Sequence, residues 1–189
     1  MSIIETVPEA EATGAVAEIY AGDVHDQGFV AAHTKALALN PEVYLAWEQL
    51  ITAIAGPMDK RRYELITLAA ARGARSQHCR LAHARKSLRY FDEAQLTRIA
   101  ADYRDAGLTE AEVEMMAFAE RISADAASMT DADSLRLRAV GFSDREIVDI
   151  TLCAAARNFY SRAVQALAIE VETPVEIGPD LRSALVRGL

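Results

Sequence analysis

Apolar residues recur along most of the chain at the three-to-four-residue spacing of a helix face. No segment shows the strict alternation of a half-buried strand. Breakers and caps divide this pattern cleanly. Asn40-Pro41 places a capping side chain and a first-turn proline ahead of a helix over Glu42–Ala55, and Gly56-Pro57 ends it. Asp59 caps Lys60–Arg72, which stops at Gly73. Ser76 caps a helix running to about Tyr90, and Asp92 caps one running to Ala106 before Gly107. Thr109 with Glu112, and Ser143 with Glu146, read as capping boxes. Thr130 caps a short helix that ends at Gly141. From Asp144 to about Glu170 nothing interrupts the helix, and its apolar faces predict a central position.

The ends read differently. Residues 1–30 form an N-terminal arm with a helical turn or more around Ala15–Tyr20. The tail, residues 171–189, carries Pro174 and Pro179 and is expected to run extended into a last short helix. Arm and tail are expected to pack on a partner subunit, leaving residues 1–189 as one all-helical domain. An internal repeat is also visible. Ile66-Thr67-Leu68-Ala69-Ala70-Ala71 returns as Ile150-Thr151-Leu152-Cys153-Ala154-Ala155, so two helices rich in small residues are expected to pack closely on each other.

Composition narrows the function classes. With 51% apolar but only 6% aromatic residues, the core must come from Ala, Leu, Ile and Val. The formal charge of −8 argues against nucleic acid or an anionic membrane as partner. No apolar run reaches the roughly 18 residues of a membrane span. The first ten residues lack the basic and apolar pattern of a secretion signal, and two cysteines are too few for a disulfide scaffold, so the cytoplasm is expected.

The chemistry concentrates between Glu64 and His83. Cys79 falls in the first turn after Ser76, where unpaired backbone N–H groups and the positive helix end favour an anion. Arg75 and Arg80 lie close in sequence. His83 follows one turn later on the same face, within reach of proton exchange. Glu64 is the only charged residue in Tyr63–Ala71. It is either buried with a raised pKa, as an acid/base group would be, or reaches out to solvent. Ser76 reads first as a helix cap, and Cys79 as either a nucleophile or a core thiol. Cys153, mid-helix among Ala and Leu, reads as core. Tyr44, Trp47 and Phe159 read as packing residues, one of which could line a pocket. His25 and His33 receive no role. Cys79, His83 and His78 lack the paired spacing of a closed zinc site, so no metal or cofactor is expected.

This stretch resembles the alkylhydroperoxidase D-like family, which includes the carboxymuconolactone decarboxylases. That family carries a glutamate, eleven residues, then Cys-x-x-Cys-x-x-x-His. Glu64, Cys79 and His83 stand at the glutamate, second cysteine and histidine. His78 matches a histidine that some members have before the second cysteine, and Ser76 replaces the first cysteine. The likeness spans roughly residues 40–170. It implies an all-α homo-oligomeric bundle with catalytic residues Cys79, His83, Glu64, His78 and Ser76. It also implies hydroperoxide reduction by Cys79 with a His83/Glu64 proton relay and, lacking the resolving cysteine, an external thiol reductant. The decarboxylase branch implies an alternative, acid/base work on a small lactone. A non-catalytic ligand-binding scaffold is the third reading.

Overall fold

A computed structural model describes residues 3–188, and every regular element among them is helical. Ten α-helices follow in order: α1 Gly14–Gln27, α2 Ala32–Leu37, α3 Pro41–Ala55, α4 Lys60–Gly73 and α5 Gln77–Ser87; then α6 Glu93–Asp102, α7 Glu110–Asp125, α8 Asp131–Ala139, α9 Asp144–Ala166 and α10 Pro179–Val186. The caps sit where the sequence puts them. Asn40, Asp59, Ser76 and Asp92 each accept a hydrogen bond from the backbone N–H three residues on. Thr109–Glu112 and Ser143–Glu146 close as full capping boxes. Each cap satisfies an N–H group that has no partner inside its helix.

Helix α4 is the centre of the bundle, packed on α5, α7 and α9. Its residues Tyr63 through Ala71 are all buried. The two repeat copies, on α4 and α9, do pack on each other, burying Ile66, Ala69 and Ala70 with Ile150, Cys153 and Ala154. Helices α4 and α7 approach so closely at Gly73 that a Cβ there would collide with the Glu120 carbonyl and the Ser123 side chain. Ion pairs pin the α4 rim: Arg62 to Glu146 at 2.7 Å and Arg72 to Glu120 at 3.2 Å. The Glu146 carboxyl is held down to about 2 by the Ser143 backbone N–H and then by Arg62.

Some sequence expectations change. The arm is more regular than expected, because α1 runs fourteen residues and seats Ile19 and Tyr20 against Val30, Ala38 and Tyr44. Helix α9 ends at Ala166 rather than near Glu170, since Ala168 adopts a left-handed conformation (φ 47°) that stops the helix. The tail ends, as expected, in a short helix, α10, which packs on α6 and α5. There Ile177, Leu181, Ala184 and Leu185 complete the main core. Among the described residues no helix is long and apolar enough to cross a membrane.

Candidate active site

The turn between α4 and α5 builds the site. Arg75 takes a left-handed conformation (φ 55°), and the Ser76 N–H donates back to the Ala71 carbonyl at 2.9 Å. The chain therefore reverses, and the second turn of α5 lies against the start of α4. His83 Nδ1 and Glu64 Oε2 meet at 2.7 Å, both buried. Burial pushes the Glu64 carboxyl up to about 7 and holds His83 well below its ordinary value, with the cations Arg157 and Lys86 adding to the latter. Both groups are thus driven toward neutrality. Below about pH 7 the carboxylic acid donates to Nδ1; above it the carboxylate accepts from Nδ1–H.

Cys79 occupies the first turn of α5 and is 1% exposed. Its backbone N–H donates to Ser76 Oγ at 3.4 Å, so Ser76 is the helix cap. The sulfur meets two side chains of α9: Arg157 Nη1 at 3.9 Å and Ser161 Oγ at 3.2 Å. Arg157 Nη2 also donates to the Tyr63 hydroxyl at 3.4 Å. The guanidinium is buried, and its hydrogen-bond partners among the described residues include no carboxylate. Burial alone would lower its pKa; the facing Cys79, Tyr63 and Cys153 outweigh that, and the net direction is upward. An uncompensated buried cation costs several kcal/mol, and negative charge on the Cys79 sulfur would compensate it.

His78, the neighbour of Cys79, packs edge-on against His33 of α2, with ring centroids 4.5 Å apart. Burial lowers His33 to about 4 and His78 to about 3, which leaves both imidazoles neutral at pH 7. The Nδ1 atoms of both rings, and Arg157 Nε, are buried without a hydrogen-bond partner among the described residues. Tyr160 of α9 lies against His33 at 5.7 Å and packs in one apolar cluster with Cys79.

The sequence-read residues thus fall into two groups. Glu64 pairs with His83, and the Cys79 sulfur is held from α9. Cys153 lies in the core, its thiol pushed up to about 12 by burial. The arginines near Cys79 in sequence turn elsewhere. Arg80 donates to the Ala100 and Ala184 carbonyls at 3.0 and 3.3 Å, and Arg75 donates to Gly188 O at 3.4 Å. The cation beside the sulfur is Arg157, which the sequence reading passed over. The signal was there, since Arg157 is the only charged residue from Ile150 to Ser161. His33, given no role, belongs to the same cluster.

No known family profile matches the sequence, and no curated protein is significantly similar to it. Solved structures are similar. A peroxidase-related protein from Silicibacter sp. TM1040 superposes with a TM-score of 0.79 at 23% identity, covering 94% of this chain and 95% of its own. The alkylhydroperoxidase AhpD core of a peroxidase-related protein from Ralstonia eutropha JMP134 gives 0.77 at 23% identity, covering 92% and 93%. This chain has the alkylhydroperoxidase D-like fold. The debrominase Bmp8, in a cysteine-to-alanine variant with 2,3,4-tribromopyrrole, shares that fold at a TM-score of 0.76 and 17% identity, covering 98% and 96%.

Proposed function

We propose that this protein is a one-cysteine, thiol-dependent peroxidase in which Cys79 attacks the hydroperoxide. One observation carries this reading: the Cys79 sulfur faces a buried guanidinium and a hydroxyl, at a helix start, one turn before an acid/base pair. The thiolate attacks the outer oxygen of ROOH, the O–O bond breaks, and the alkoxide leaves as ROH after taking a proton. Arg157 and Ser161 steady the charge as it passes from sulfur to oxygen. Glu64 and His83 hold and return the proton. Ser76 fixes the helix start, and neutral His78, next to Cys79 in sequence, packs on His33.

The product is the sulfenic acid of Cys79. Ser76 cannot resolve it, so one external thiol displaces water to form a mixed disulfide. A second thiol releases Cys79 and leaves as the external disulfide. The peroxidase-related proteins of the same fold support hydroperoxide as substrate. The debrominase of the same fold, in complex with a bromopyrrole as a cysteine-to-alanine variant, adds support for a chemistry centred on sulfur. Self-association belongs to this reading, supported by the exposed apolar side chains Val43 and Leu50 on α3 and Val148 and Leu152 on α9.

A second reading, acid/base lyase work on a small lactone, draws on the buried Glu64–His83 pair alone. Hydroperoxide consumption with a panel of thiol donors separates the two. The first requires turnover that Cys79→Ser abolishes; the second leaves hydroperoxide untouched and lactone turnover insensitive to that change.

A further inference from the structure

Three aromatic rings lead from the surface to the thiol. Phe159 is 54% exposed on α9. Trp47 of α3 stacks on it with centroids 5.4 Å apart and planes 28° apart. Trp47 also stacks on Tyr160 at 5.1 Å and 29°, and Tyr160 is buried in the cluster that holds Cys79. Arg157 joins the two ends of this arrangement. Its guanidinium carbon lies 6.0 Å from the Trp47 ring and 5.7 Å from the Tyr160 ring, while its Nη1 meets the sulfur.

The helix carrying Trp47 is lightly held. Tyr44 is the only side chain of α3 that is fully buried, and Asn40-Pro41 and Gly56-Pro57 bound the helix. Trp47 is half-buried against the cluster that holds Cys79 and stacks on two rings, an attraction that another flat ring can also provide. The polar end of the path is unfinished, because Arg157 Nε and the Nδ1 atoms of His33 and His78 have no hydrogen-bond partner among the described residues.

We propose that Trp47, Phe159 and Tyr160 form a slot for a flat aromatic ring, making aralkyl hydroperoxides, with the OOH group on a carbon beside the ring, the preferred substrate class. The substrate ring stacks on Trp47 and its hydroperoxide end reaches Cys79 beside Arg157. This proposal rests on Cys79 as the reacting thiol, but slot occupancy is measurable without turnover. Trp47 is the only tryptophan, so its emission reports on the slot alone.

The test titrates the Cys79→Ser variant with cumyl alcohol, the product of cumene hydroperoxide, and with tert-butanol. Cumyl alcohol should change Trp47 emission saturably, and tert-butanol should not. Phe159→Ala, at a half-exposed position that leaves the core intact, should raise the cumyl midpoint about tenfold. In the intact enzyme kcat/KM for cumene hydroperoxide should exceed that for tert-butyl hydroperoxide by about tenfold, a ratio that Phe159→Ala brings toward one. Saturable binding of cumyl alcohol without hydroperoxide turnover upholds the slot and removes the peroxidase reading. Turnover of both hydroperoxides at equal efficiency, with no response from Trp47, overturns the slot and leaves the peroxidase reading standing.

Discussion

Replacing Arg157 by methionine keeps an apolar side chain against Trp47 and Tyr160 while removing the cation beside Cys79. In a Cys153→Ala background, alkylation of Cys79 at pH 7 should slow by about tenfold, the effect of losing one opposite charge near the sulfur. An unchanged rate would remove Arg157 from the chemistry. Glu64 makes a second prediction. Its folded value of about 7 lies above the ordinary 4.5, so its contribution to stability is full below pH 4.5 and is lost as pH rises through about 7. Glu64→Gln has no such loss. Its stability relative to wild type should therefore climb across that window, at up to about 1.4 kcal/mol per pH unit and about 3 kcal/mol in total. His83 titrates in both proteins and largely cancels from the difference. Urea unfolding at several pH values measures it, and a flat difference would mean Glu64 is ionised at little cost. At this scale the sequence is readable where spacing is local. Glu64, Cys79 and His83 lie within two adjacent helices, so helical periodicity relates them. Arg157 and Ser161 reach the sulfur from α9, and only tertiary packing brings them there.

Helices α3 to α9 were legible because each opens on a capping residue, as Asp59, Ser76 and Ser143 show, whereas α2 follows uncapped Ala31 and carries no such signal. What no cap encodes is which faces meet. The Ala-rich repeat anticipated the α4–α9 contact, whereas Arg80, on the reverse face of α5, points to the carbonyl ends of α6 and α10. Two elements give predictions. Gly73→Ala should destabilise by about 2 kcal/mol or more, since backbone of α7 blocks the added methyl and the helices must part. Thermal melting checks it, and a neutral change would mean the crossing is looser than described. Ser76→Cys should form an intramolecular disulfide with Cys79 on mild oxidation, because the cap residue is extended (φ −93°, ψ 100°) and its side chain already meets the Cys79 backbone. Loss of the serine cap should cost only about 1 kcal/mol. Mass spectrometry of the oxidised variant decides; its absence would mean that position 76 cannot serve as a resolving site.

Across the whole molecule the formal net charge is −8, and apolar side chains stand exposed on α3 and α9. In the tail, prolines 174 and 179 announce an extended segment before a last short helix, and that helix settles Leu181 and Leu185 into the main core. The buried thiol at the meeting of α5 and α9 is the feature on which the functional account stands. Its most direct test exposes the protein to one equivalent of hydroperoxide in the presence of a sulfenic-acid trap and locates the modification by peptide mass spectrometry. The account predicts rapid, stoichiometric trapping at Cys79, none at Cys153, and reversal by an added thiol when the trap is omitted. Cys79 left unmodified while the hydroperoxide persists would contradict it.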